Sequence, residues 1–154
     1  MKKPELTDKH NRFEAFVGRW KGPETLSETP LTPDGKADGC LFFRTILQGF
    51  FMTVDWVEKF HGRTQMEAHG VIGWDAKQKS YTLHWFDNFG SPPLTPGKGT
   101  WNGHALVFEH DMPTHQGRET LTLDDGKLAF KLEMTFEGQW KTVVDGTYQR
   151  DMAL

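Results

Sequence analysis

Residues 70–93 read Gly70-Val-Ile-Gly-Trp-Asp75-Ala-Lys-Gln-Lys-Ser80-Tyr-Thr-Leu-His-Trp85-Phe-Asp-Asn-Phe-Gly90-Ser-Pro-Pro93. The pattern is a strand ending at Trp74, a polar turn over residues 75–80, and a second strand from Tyr81 to Asn88. The Gly-Ser-Pro-Pro that follows leaves the sheet, because proline has no N–H to give a ladder. Alternate side chains of a strand point to opposite faces. Tyr81, Leu83, Trp85 and Asp87 therefore share one face, and Thr82, His84, Phe86 and Asn88 the other. Large side chains on both faces imply cover on both, and a ligand can supply one of the covers.

The same alternation extends outward through the chain. Leu128, Phe130, Leu132, Met134 and Phe136 alternate with Ala129, Lys131, Glu133 and Thr135, which sets an inner face. By this rule Phe50, Met52, Val54 and Trp56 point inward, as do Met66, Ala68, Ile72 and Trp74. Trp140, Thr142, Val144 and Tyr148 follow on the last strand. Gln48-Gly49, His61-Gly62, Asn102-Gly103, Asp125-Gly126 and Glu137-Gly138 mark short turns between these runs. Residues 7–16 make the one helix, with Thr7 or Asp8 as cap and Phe13 and Phe16 on one face. Residues 23–39 read as a linker punctuated by Pro23, Pro30, Pro33 and Asp34-Gly35. The expected architecture is all-β, a single domain over residues 1–154. It has a short N-terminal helix (7–16) and an antiparallel up-and-down barrel of about ten strands (19–150), since closure removes exposed edges.

Length and composition narrow the function classes. The 154 residues suffice for one real core, and a 13% aromatic share compensates for 36% hydrophobic content. A net charge of −3 with interspersed signs gives no case for nucleic acid or for an anionic membrane surface. No apolar run approaches the roughly 20 residues of a membrane helix, and the N-terminus has no apolar signal core. The lone Cys40 rules out an intrachain disulfide framework and fits a reducing, cytoplasmic compartment. No Gly-x-Ser-x-Gly, Walker loop or dinucleotide fingerprint occurs.

Phe16-Val17-Gly18-Arg19-Trp20-Lys21-Gly22 after a short helix, before a ten-strand meander, resembles the calycin superfamily of lipocalins and fatty-acid-binding proteins. With Gly73-Trp74-Asp75, the run from Trp85-Phe86-Asp87 to Gly90-Ser91-Pro92-Pro93, and Gly99-Thr100-Trp101, the set looks like a bacterial family of calycin-like barrels that is a domain of unknown function. The resemblance implies that Trp20 packs against Arg150 to close one barrel end, a cation–π contact worth about 0.5–2 kcal/mol. It also suggests a haem test, because the related nitrobindins ligate iron through a His on the last strand. Val143 or Val144 stands at that place and no His follows Trp140, so haem is disfavoured and no cofactor is expected.

The lumen is expected to take a small hydrophobic or aromatic guest, with Arg44, Trp56, His84, Trp85, Asp87 and Tyr148 as candidate contacts. Arg44 lies in the apolar run Leu-Phe-Phe-Arg-Thr-Ile-Leu, so it either snorkels outward or meets a carboxylate; with Tyr148 it would grip a ligand acid, as interior Arg and Tyr do in fatty-acid-binding barrels. His84 is either an inward acid/base group or an exposed histidine. Asp87 either meets a ligand or caps the loop after it. His104, His110 and His115 with Glu109 and Asp111 read as surface residues rather than a metal site, since His104 and His110 stand about 20 Å apart along a strand. Three functions stay open: a carrier or sensor, a cofactor-free lyase or isomerase acting on a small acid, and a barrel filled by its own side chains. A homodimer would cover an outward Phe42 or Phe51.

Overall fold

In the computed structural model, described for residues 1–93 and 95–152, ten strands close into one antiparallel barrel. They are β1 (Gly18–Leu26), β2 (Gly35–Ile46), β3 (Phe51–Phe60), β4 (Arg63–Asp75) and β5 (Ser80–Asp87), then β6 (Gly97–Asn102), β7 (Ala105–Asp111), β8 (Gln116–Asp124), β9 (Lys127–Phe136) and β10 (Gln139–Arg150). Each strand pairs with its neighbours in sequence, and β1 pairs with β10 to complete the ring. The ladder is shortest between β5 and β6, where three pairs, Tyr81–Gly99, Thr82–Lys98 and Leu83–Gly97, hold the wall among the described residues. The domain boundaries expected for residues 153 and 154 lie outside the described residues.

The turns follow their chemistry. Asp125 and Gly126 both take positive φ, 50° and 73°, as a two-residue hairpin loop of right-handed strands requires. At the β6–β7 hairpin Asn102 pairs with Ala105, so the loop is Gly103–His104, one residue later than the Asn-Gly reading, with Gly103 alone at positive φ. The N-terminal segment is a single α-turn, α1 (Asp8–Asn11), continued by a 3-10 turn (Arg12–Ala15). Thr7 caps it: its hydroxyl accepts from Lys9 N, and His10 Nδ1 accepts from Thr7 N.

Two expectations need correction. Residues 23–39 are not all linker: β1 runs on to Leu26 and β2 starts at Gly35. Pro23 is tolerated because the β1–β10 ladder is interrupted there, passing from Lys21–Gln149 to Glu24–Gly146. On β10 a register shift between Thr142 and Val144 puts both Val143 and Val144 inside. This bulge reverses the alternation before it, so Trp140 faces out and lies under Arg118, 4.3 Å from the ring centroid.

The helical segment fills one end of the barrel. Phe13 and Phe16 are fully buried, Phe13 against Tyr81 and Phe16 against Phe43 and Trp101. Trp20 donates its Nε1–H to Phe16 O at 2.8 Å. Arg150 lies opposite Trp20 in register, 4.3 Å over its ring, and its guanidinium donates to Val17 O and Ala15 O. The next layer is packed by Leu41, Met52, Ile72, Leu106 and Phe108, all buried.

Candidate functional site

Beyond that layer the lumen is hollow. A void of about 20 Å³, the size of one water, sits mid-barrel. Past it a cavity of about 360 Å³ occupies the end away from the helix. Its walls are Trp56 and Met66 from β3 and β4, Trp85 from β5, Leu132 and Met134 from β9, and Val143 from the bulge. Phe89, Ser91, Pro92 and Pro93 of the β5–β6 connection form one rim, and Leu31 with Thr32 form another. Thr32 is fixed there by its hydroxyl, which donates to Ser27 O at 2.8 Å.

The face of β5 that reaches the lumen is Tyr81, Leu83, Trp85 and Asp87. His84 is therefore outside and exposed, and joins no other candidate. Arg44 is also outside: it points away from Tyr148 and lies, with Arg19, over the outer ring of Phe42. The two guanidiniums cover Phe42, one of the two rings that suggested a dimer, whereas Phe51 is 37% exposed. Trp56, Trp85 and Asp87 do meet at the cavity. Asp87 Oδ2 accepts from Trp85 Nε1 at 3.1 Å and its Oδ1 accepts from Phe89 N at 3.0 Å, so one carboxylate orients a wall residue and caps the loop.

Tyr148 is fully buried behind the wall and takes part in a polar cluster that alternation alone missed. Its hydroxyl donates to Glu24 Oε1 at 2.5 Å, and the Nε1–H of Trp56 donates to the same oxygen at 2.8 Å. Glu24 and Glu58 are both buried and their carboxyls meet, with Gln65 donating to Glu58 Oε1 at 3.2 Å. Burial, and then the hydrogen bond and charge of Glu24, push the Glu58 carboxyl up to about 8. This upward shift favours a proton held between the two facing carboxyls. The Oε2 atoms of both residues are buried without another partner, which leaves this shared proton to satisfy them. Burial, followed by the charge and hydrogen bond of Glu24, also lifts the Tyr148 phenol above its ordinary range. Space for the cluster comes from Gly39, where a Cβ would fall 1.8 Å from Glu24 Oε1.

A second polar pair stands in the cavity wall. His110 Nε2 and Glu119 Oε2 are 2.5 Å apart, with side chains 8% and 9% exposed, and neither atom has another partner. Gly117 lies opposite His110 in the ladder, and a Cβ at Gly97 would fall 2.5 Å from its ring, so Gly97 opens the slot the imidazole fills. Burial pulls the imidazole down, but the hydrogen bond and charge of Glu119 outweigh it and hold His110 above its usual value. His110 is therefore not a surface residue, as its neighbours Glu109 and Asp111 suggested. His115 also borders the cavity, its Nδ1 3.1 Å from the Thr114 hydroxyl. No group of three or more His, Cys, Asp or Glu is gathered for a metal among the described residues.

A closed ten-stranded antiparallel barrel with a helical plug at one end and a hollow at the other is a calycin-like architecture. The chain belongs to the family described as "Protein of unknown function (DUF1579)", whose model matches residues 5–150. No curated protein sequence matches it. Among solved structures it is similar to Rv2717c from M. tuberculosis, at 16% identity and a TM-score of 0.70, over 96% of this chain and 99% of that one. It is also similar to the wild-type fluorescent protein UnaG, at 21% identity and a TM-score of 0.55, over 90% of this chain and 98% of that one. At such identities the likeness establishes the fold alone. Among the described residues no helix is long and apolar enough to cross a membrane.

Proposed function

We propose that this protein binds one small, largely apolar molecule in the barrel cavity, as a carrier or sensor. The observation that carries the reading is the void itself: about 360 Å³ left empty in a barrel whose other end is packed solid. That volume lies within the range of small-molecule sites, and apolar walls with a few fixed polar groups are their usual make-up. The filled-barrel alternative accounts for the helix end of the lumen only.

Native mass spectrometry of the purified protein, before and after denaturing extraction, tests it. An added mass lost on extraction, or quenching of Trp56 and Trp85 fluorescence by a saturable apolar probe, is the expected result. A bare chain that no probe shifts overturns the reading. A second reading, a cofactor-free lyase or isomerase, is favoured by one observation: the buried His110–Glu119 pair has the make-up of an oriented acid/base group. A bound molecule recovered chemically unchanged, with no solvent deuterium incorporated, argues for the carrier.

A further inference from the structure

The walls of the cavity also specify the charge of its guest. Among the described residues no Lys or Arg lines it, and Arg44, the one cation expected inside, is outside. Two carboxylates, Asp87 and Glu119, do line it. His110 is the counter-charge of Glu119, and His115 is the other basic group; among the described residues Asp87 is the lining carboxylate outside an ion pair. An acid placed here would meet the Asp87 carboxylate without a fixed cation to offset its desolvation, which is costly in an apolar site.

The aromatic walls point the same way. Trp85, the partly exposed indole of the wall, hands its N–H to Asp87, while the fully buried Trp56 behind it hands its own to Glu24. Donation to a carboxyl polarises an indole and makes its π-face more negative, which strengthens its attraction for a cation. Phe89 adds a third ring at the rim. Rings of enriched density with carboxylates beside them are the chemistry that recognises an ammonium group.

We propose that the cavity selects lipophilic cations, amines or quaternary ammonium compounds with an aromatic or alkyl body, over acids of the same shape. The inference rests on the carrier reading above and names the ligand class of that site. The ammonium head lies between Asp87 and the face of Trp85, with the apolar body against Met66, Leu132 and Met134.

The test is a matched series, phenylbutylamine, phenylbutanol and phenylbutanoate, titrated against the purified protein at neutral pH by calorimetry. The expected order is amine, then alcohol, then acid, with about tenfold between the first two. Asp87→Asn is expected to cut the amine's preference over the alcohol by about three- to tenfold, read as the ratio of the two affinities so that any general loosening of the rim cancels. Acid binding as tight as the amine, or an alcohol equal to the amine, overturns the cation preference and leaves the carrier reading standing. Failure of all three compounds to bind overturns both.

Discussion

The two ends of this barrel are built from similar side chains and come out opposite. At the helix end, Phe13, Phe16, Trp20 and Phe43 interlock and are all fully buried. At the other end Trp56, Trp85, Phe89 and three methionines surround empty space. The difference is not aromatic content but a donated segment: the N-terminal turn inserts two phenylalanines into one mouth, and among the described residues no segment does this for the other. A barrel of this size needs such a plug to fill it, because ten strands enclose more room than their own side chains occupy. Polar groups divide the same way, since the carboxyl cluster, the His110–Glu119 pair and Asp87 all sit at or behind the hollow end.

That contrast can be broken most forcefully at the plug. Phe16→Ala removes a fully packed ring and is expected to cost about 3–5 kcal/mol in chemical denaturation. A loss below about 1 kcal/mol would mean that the plug is not structural. The next effect is in pH. Glu58 has a folded pKa of about 8 against 4.5 for its ordinary value, raised on folding. Its contribution is therefore complete below about pH 4.5 and is lost as pH climbs to about 8, a few kcal/mol in all. Glu58→Gln should flatten the stability profile across that window; an unchanged slope would sink the shared-proton account.

At the hollow end the same kind of truncation should matter less. Leu132→Ala faces a void already and is expected to cost only about 1–2 kcal/mol while enlarging the guest that fits. A cost equal to that of Phe16→Ala would show that the end is closed in solution. The smallest effect belongs to Arg44→Ala, outside the barrel: within about 0.5 kcal/mol of wild type and with ligand affinity unaltered. A marked loss of affinity on removing Arg44 would return it to the lumen.

Much of this could be read from the amino-acid sequence, and what could not has a physical cause. Period-two alternation identified the ten strands and put Trp56, Trp85 and Asp87 on faces that prove to be internal. Extending the run Met52, Val54, Trp56 by one step reaches Glu58, so its inward placement was written in the pattern. Its carboxyl breaks the apolar series, which hid it. Glu24 was obscured by Pro23, which reads as a strand breaker unless the gap in the β1–β10 ladder is known. His110 and Glu119 sit on different strands, and only the register that sets His110 against Gly117 brings them together. The bulge at Thr142 carries no glycine or other signal, so the reversal of Trp140 could not be anticipated.

The three-pair ladder between β5 and β6 holds that wall from the plug end alone. Sheets part first where the fewest backbone bonds must break together, and past Leu83 the described residues of β5 carry no pair to β6 on the way to Phe89, Ser91 and the prolines at the cavity rim. For the guest proposed above, passage through this stretch would be an event of microseconds to seconds and would not need the barrel to unfold.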